Sequence, residues 1–391
     1  MRSSLRDCCE INSGTGNLAG LARMSAALQP ALQRLGGDIR QIELPPRTTI
    51  DSQGQPRQSP LGNAVSVSKR PGAPHRVFLA IHMDTIYGLD SPFQTVTETS
   101  ANRWCGPGVA DAKGGLVVML TALAALERSD LTNQIGWEML INPDEEIGSP
   151  GSAPLFAQAA RRNHLGLVFE PALPDGNLVS SRKGSWSAAL VVRGKSAHVG
   201  RDITAGRNAI QALAAAITAI ANLQDLPRGI IVNVGKIEGG GPTNVVPDLA
   251  ICRFNVRTDA IADYQMVADR LQQIVENLTA DGISAELHWT SACPPKPMDD
   301  ATARLFDAVA DCGKDLGLNL SCRPTGGVCD GNRLAAAGLP TIDTMGVRGG
   351  DLHSSSEYVL LDSLVERASL SAMLLLKIAG GEIAVGRGEG S

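Results

Sequence analysis

The chain is as informative for what it lacks as for what it holds. Its 391 residues contain eight cysteines and no CxxC pair, which excludes zinc ribbons and thioredoxin-like redox motifs. Reduced, mostly buried thiols are the plain expectation. There is no GxSxG, so a serine-hydrolase elbow is unsupported. Neither Gly14–Gly20 nor Gly239–Gly241 has the spacing of a dinucleotide or P-loop cradle, and both read as turns. Positive charge is not in excess: 35 Lys and Arg against 40 Asp and Glu leave a net −5, which argues against nucleic acid or an anionic membrane surface as the main partner. No apolar run reaches membrane length; Leu116–Leu126 and Ile210–Ala221 stop at about eleven or twelve residues. The first residues, MRSSLRDCCEINSG, have no apolar core of signal-peptide length, so a cytoplasmic protein is expected. Aromatics make up 3% of the chain, and only six histidines are present.

The remaining pattern is an α/β one. At about 150 residues per domain the length allows two or three domains. Val77–His82 (VFLAIH) reads as a buried strand, Gly115–Arg128 as a helix, Ile135–Asn142 as a strand, Ser152–Arg162 as a helix and Leu165–Phe169 as another strand. Strands alternating with helices imply a mostly parallel sheet with function at the strand ends. After Gly184 the texture changes to β-α-β-β-α-β: a strand from Trp186, a helix Ala205–Leu223, strands Gly229–Ile237 and Leu249–Val256, a helix Ala260–Ala280 and a strand Ile283–Thr290. That is the split, ferredoxin-like order. From Asp300 the α/β texture returns. The expected organisation is a catalytic domain in two parts, 1–183 and 294–391, interrupted by an inserted α+β domain, 184–293.

Chemistry-bearing residues gather at the predicted strand ends. His82 and Asp84 sit two apart after an apolar strand, so both side chains can face one side. Asp111 lies directly before a helix, in GVADAKGG. Glu145 and Glu146 follow the strand ending at Asn142, Glu170 ends another apolar strand, and His353 sits in the loop GGDLHS before the last helix. Each alone admits a plain structural role: a helix N-cap for Asp111, a solvated acidic turn for Glu145–Glu146. With Asp144 before them, Glu145 and Glu146 make three adjacent acids, which repel unless cations or protons compensate. Together the residues fall where α/β proteins build their sites.

In order and spacing, HMD, GVADAKGG, PDEEIGS, VFEP and GGDLHSS resemble the peptidase family M20, whose carboxypeptidase G2-like branch is the nearest. The resemblance spans nearly the whole chain. It implies a zinc-hydrolase catalytic domain with an inserted dimerisation (lid) domain, and two Zn²⁺ per subunit with Co²⁺ or Mn²⁺ as substitutes. His82 and Glu170 then hold one ion, Glu146 and His353 the other, and Asp111 bridges them across a cis Asp111–Ala112 bond. Asp84 orients His82, and Glu145 is the general acid/base.

In the inserted domain, His198 matches a histidine that reaches into the partner subunit's site of a homodimer. Asn244 and Arg257 match residues that bind the substrate's carboxylate end or the oxyanion. As bare sequence, His198 is also an ordinary loop histidine and Arg257 a surface arginine. Gly327 belongs to a glycine-rich substrate-side loop, Gly326–Asn332, in which Cys329 stands where the family has a small hydroxyl residue. Lys296 stands where the carboxypeptidase G2 branch has a substrate-docking arginine, and Leu178 where that branch has a lysine. The implied activity is cleavage of an amide bond in a small peptide or N-acyl amino acid. The alternatives are a biosynthetic deacylase of the acetylornithine or succinyl-diaminopimelate type and, more remotely, a catalytically silent binding protein.

Overall fold

The computed structural model describes residues 1–384. The chain divides into two compact units, Met1–Pro45 with Pro60–Arg182 and Lys296 onward, and Lys183–Pro295 with Pro46–Ser59.

The first unit is built on a six-stranded mixed sheet in the order Asp38–Ile42, Ala64–Lys69, Ile135–Asn142, His75–His82, Leu165–Val168, Thr341–Ile342. The outer pair and its junction with Ile135–Asn142 are antiparallel; the other pairings are parallel. His75–His82 is central, which explains its unbroken apolar run: a parallel strand between two neighbours is covered on both faces. Successive side chains serve opposite layers. Val77, Leu79 and Ile81 join one core with Leu116, Met119 and Leu123 of helix Lys113–Leu126 and Leu370 and Leu374 of helix Asp362–Ala379. Phe78 and Ala80 join the other with Phe156, Ala159 and Ala160 of helix Ala153–Arg162. Phe78 meets Phe156 edge-on at 6.0 Å, and truncating it would cost about 3–5 kcal/mol.

Register brings the strand ends together: His82 pairs with Asn142, and Ala80 with Val168. The segments beyond these ends carry His82–Asp84, Glu145–Glu146 and Glu170. Helix Lys113–Leu126 follows Asp111 directly and lies close against Phe169, because a Cβ on Gly115 would stand 1.8 Å from the Phe169 carbonyl oxygen. A smaller antiparallel sheet joins Gly349–Gly350, Tyr358–Leu360, Arg103–Cys105 and Thr97–Ser100. Its first two strands are the arms of the loop that carries His353.

In the second unit, four antiparallel strands run in the order Ile231–Gly239, Leu249–Thr258, Gly184–Arg193, Ser284–Cys293. Helices Ala209–Ala221 and Ile261–Leu278 cover one face through Leu213, Val267 and Leu271 packed on Leu190, Cys252 and Phe254. The hairpin Arg47–Ile50/Pro56–Ser59 belongs to this unit although it lies far upstream in the sequence. Ile50 packs on Ala189, Val191 and Ile251 of the opposite face, and Arg193 donates to the carbonyls of Gln53 and Gly54. Gly54 turns the hairpin at φ +68°, where a Cβ would also come within 2.6 Å of Val191.

Among the described residues, no helix is long and apolar enough to cross a membrane, and none of the cysteines is in a disulfide.

Candidate metal centre

His82 is buried at the end of its strand, and each ring nitrogen has a carboxylate-bearing neighbour. Nδ1 lies 3.0 Å from the Asp84 carbonyl oxygen and 3.3 Å from Asp84 Oδ1. With the proton on Nδ1, the Nε2 lone pair is left free to ligate. Nε2 lies 3.0 Å from Asp111 Oδ1 and 3.9 Å from Glu170 Oε2. On the far side of Asp111, His353 Nε2 lies 3.3 Å from Oδ2 and 3.2 Å from Glu146 Oε2. One carboxylate thus faces both imidazoles, one with each oxygen. Asp111 does not cap the helix behind it: the N-cap position is Ala112, with no side-chain cap, so its oxygens are directed elsewhere. The Asp111–Ala112 peptide is cis.

Local contacts explain how the acidic turn is presented. Asp84 accepts the backbone N–H of Glu145 on Oδ1 and that of Glu146 on Oδ2, both at 3.2 Å, and the Thr15 hydroxyl at 2.7 Å. Asp144 points the other way and is consumed by the N–H groups of Gly151 and Ser152 and the Ser152 hydroxyl. Of the three consecutive acids, only Glu145 and Glu146 remain to act. His353 adopts φ +62° at its loop, a left-handed conformation uncommon for residues other than glycine.

The electrostatics follow from crowding. Burial and then the charge of Glu170 raise Glu145 well above the ordinary carboxylate range. Burial pushes Glu170 up to about 8. Burial also opposes ionisation at Asp111, but hydrogen bonds with His353 and His82 outweigh it and hold that carboxyl low. Hydrogen bonds to Asp111 and Glu146 raise His353 to about 11. His82, Asp111 and Glu146 offer ligand atoms all within 4.8 Å of one another, so the cluster could hold a cation. Two imidazoles, a shared carboxylate and further carboxylates form the N/O donor set that suits divalent zinc and its neighbours.

The chain matches the model of peptidase family M20/M25/M40 over residues 78–377. It belongs to that family. The match takes in both the first-unit site and the second unit, and the enzyme is a metallohydrolase. Among curated relatives it is 25% identical to carboxypeptidase G2 of Pseudomonas sp. (strain RS-16), over 97% of this chain and 89% of that one. It is 29% identical to succinyl-diaminopimelate desuccinylase of Nitrosospira multiformis, over 73% and 79% of the two chains. Among solved structures, the Bacillus subtilis YXEP protein, described as a dinuclear metal-binding peptidase of the M20 family, superposes with a TM-score of 0.64 at 16% identity, covering 98% of each chain. The chemistry shared by the family and these relatives is hydrolysis of amide bonds in peptides or acyl amino acids.

The other anticipated residues lie as follows. His198 is exposed in the second unit, where its Nδ1 accepts the Gly200 N–H, and Asn244 lies beside it: the Val199 N–H donates to the Asn244 carbonyl. Arg257 shares the half-exposed face of its strand with Arg253 and Asn255 and donates to Asn255 Oδ1 at 3.2 Å. Gly327 is exposed, its carbonyl accepting from Arg182 at 3.3 Å, and Cys329 caps helix Asp330–Ala336. Lys296 departs from expectation. It is fully buried, its ammonium lies 2.9 Å from Asp343 Oδ2, and its backbone pairs with that of Arg182. Asp343 also pairs with Arg182 at 2.8 Å, so the Lys296 charge is committed to a buried ion cluster rather than to a ligand.

Sequence reasoning missed Glu357. It is buried, and it accepts the N–H groups of Ala110 and Asp111, each at 3.0 Å, that of Gly108 at 3.3 Å, and the Tyr87 hydroxyl at 2.9 Å. The available signal was an acid heading an apolar strand, Glu357-Tyr-Val-Leu, four residues after a candidate ligand.

Proposed function

We propose that the chain is a two-zinc exopeptidase or aminoacylase that releases an amino acid from a small peptide or N-acyl amino acid. The observation that carries this reading is Asp111, whose two oxygens face Nε2 of His82 and Nε2 of His353. In it, His82 and Glu170 hold one ion, His353 and Glu146 the other, and Asp111 is shared. When bound, the ions supply a polarising charge for the scissile carbonyl and make a water acidic near neutral pH. Glu145 is the carboxyl left outside the ligand set, raised above the ordinary range by burial and the charge of Glu170, and it is the group placed for proton transfer. It takes a proton from the attacking water and returns it to the amide nitrogen as the C–N bond breaks. Asp84 keeps the His82 ring in place and the Glu145 turn in register.

His198, Asn244 and Arg257 complete the reading on the substrate side. The family resemblance supports a homodimer joined through the second unit, in which His198 serves the partner's site and stabilises the oxyanion. Arg257 or Asn244 then receives the substrate's carboxylate, and Gly327 lines the acyl side.

The test is a panel of dipeptides, N-acyl amino acids, acetylornithine and succinyl-diaminopimelate, assayed with zinc-loaded and chelated enzyme. Zinc-dependent release of a carboxylate-bearing amino acid from peptides or acyl amino acids supports the reading. Turnover confined to acetylornithine or succinyl-diaminopimelate moves it to the biosynthetic deacylases.

A further inference from the structure

Three separate segments deliver the imidazoles and the shared carboxylate, and nothing in their local structure fixes the distance between them. The segment after His82 runs through Tyr87. Asp111 ends the turn that begins at Gly106, and His353 sits on the loop closed by Tyr358. One buried carboxylate touches all three. Glu357 Oε1 accepts the N–H of Ala110 and of Asp111 itself, and Oε2 accepts the N–H of Gly108 and the Tyr87 hydroxyl. Its own backbone closes the frame: its N–H donates to the Ser354 carbonyl and its carbonyl accepts the Gly106 N–H. The Tyr87 hydroxyl also lies 2.8 Å from the Ser354 carbonyl, a competing acceptor for its single proton.

A carboxylate buried with four donors around it is satisfied only in one arrangement of those donors. Moving the Asp111 turn or the His353 loop by an ångström breaks these hydrogen bonds and leaves buried polar groups unpaired. We propose that Glu357 is a positioning residue that sets where Asp111 stands between His82 and His353, and so governs how tightly the shared-carboxylate site takes up metal. This rests on the two-ion reading above, but not on which amide is cleaved.

The test is metal uptake by the full-length chain in the absence of substrate, with Co²⁺ as a visible probe. Wild type, Glu357→Gln and Tyr87→Phe are stripped of metal and titrated, following visible absorption and competition with a chelator. Glu357→Gln keeps the shape but turns an amide N–H₂ toward one set of donors. We expect its Co²⁺ affinity to fall about 10- to 100-fold, the range typical when a residue holding a ligand in place is changed. The absorption band should also alter, while cooperative thermal unfolding is retained. Tyr87→Phe, which removes one of the four donors and adds no bulk, should shift affinity in the same direction by less. A Glu357→Gln protein with wild-type affinity and an unchanged spectrum overturns the proposal, even if its unfolding temperature drops. If Glu357→Gln does not fold, Tyr87→Phe decides alone: an unchanged affinity and spectrum refutes, a loss supports. A wild type that binds no Co²⁺ refutes the two-ion reading itself, and is distinguishable because both variants then behave as it does.

Discussion

Asp84 Oδ1 accepts the backbone N–H of Glu145 at 3.2 Å. The residue two positions past His82, at the end of its strand, therefore also holds the turn bearing the proposed acid/base. The other oxygen holds Glu146 in the same way. One side chain couples the orientation of an imidazole to the placement of two carboxylates that come from a different strand.

Asp84→Ala should consequently lose more than an orienting hydrogen bond. Metal affinity is expected to fall about 10- to 100-fold, with kcat falling further because Glu145 is no longer anchored. Chelator competition and steady-state kinetics on the same preparation check this. Unchanged metal affinity would contradict the role given to Asp84.

Glu145→Gln should separate binding from chemistry. The variant is expected to keep its metal content and lose about 10²- to 10⁴-fold in kcat, with KM little altered. Elemental analysis alongside kinetics gives both numbers, and near-normal turnover with full metal would remove Glu145 from the mechanism.

Metal uptake should release protons and weaken as pH falls. Glu170 is raised to about 8 by burial and His353 to about 11 by its hydrogen bonds to Asp111 and Glu146. Raised values mean that both groups hold protons at pH 7, which ligation must displace. The apparent affinity for zinc is therefore expected to rise with pH through this range. Calorimetric titrations in buffers of different ionisation enthalpy measure the protons released; heats independent of buffer would contradict the prediction.

The Arg182–Asp343–Lys296 cluster makes a prediction about stability. Burial works against the Asp343 charge, but Arg182 and Lys296 outweigh it and lower its carboxyl to about 2. A depressed value means stability that is present above the unfolded-state pKa, near 4, and lost as pH falls from there toward 2. Asp343→Asn leaves two cations buried without their partner and should destabilise by about 3–5 kcal/mol. Denaturant unfolding at neutral pH and at pH 3 checks both statements: the gap between wild type and variant should narrow in acid.

If His198 serves the partner's site, mixing two inactive proteins should restore turnover. Glu145→Gln and His198→Ala, unfolded together and refolded, form mixed dimers in which one of the two sites has both groups intact. Recovery to about a quarter of wild-type activity is expected from random pairing in a two-fold dimer. No recovery would place His198 in its own subunit's site or outside the chemistry.

The sequence showed the parts of the fold that rest on local pattern. Val77–His82 and Ile135–Asn142 are continuous apolar runs because they lie inside a sheet covered on both sides, and they are found nearly residue for residue. Helix Leu18–Leu35 is not legible in the sequence, since Gly14, Gly16 and Gly20 read as a turn and Pro30 interrupts the pattern. The hairpin Arg47–Ser59 could not be assigned to its unit from sequence: its contacts with Val191, Arg193 and Ile251 are all long-range. The same limit explains Lys296. A lysine after two prolines looks accessible, and only the fold brings Asp343 to its ammonium. At the candidate metal centre, histidines and acids at the strand ends are legible as a cluster, and their division into ligand sets comes from the family resemblance. Glu357 stayed hidden because three of its four donors are backbone N–H groups, which leave no mark in the sequence, and the fourth, Tyr87, is remote in the chain.

The most direct measurement is a single titration of metal-stripped enzyme with zinc, reading bound metal and hydrolysis of an N-acyl amino acid or dipeptide together. Two equivalents bound per chain are expected, with activity rising as the site fills and lost again on chelation. Hydrolysis indifferent to chelation, or no zinc bound by a folded chain with His82, Asp111 and His353 intact, would contradict the two-ion site.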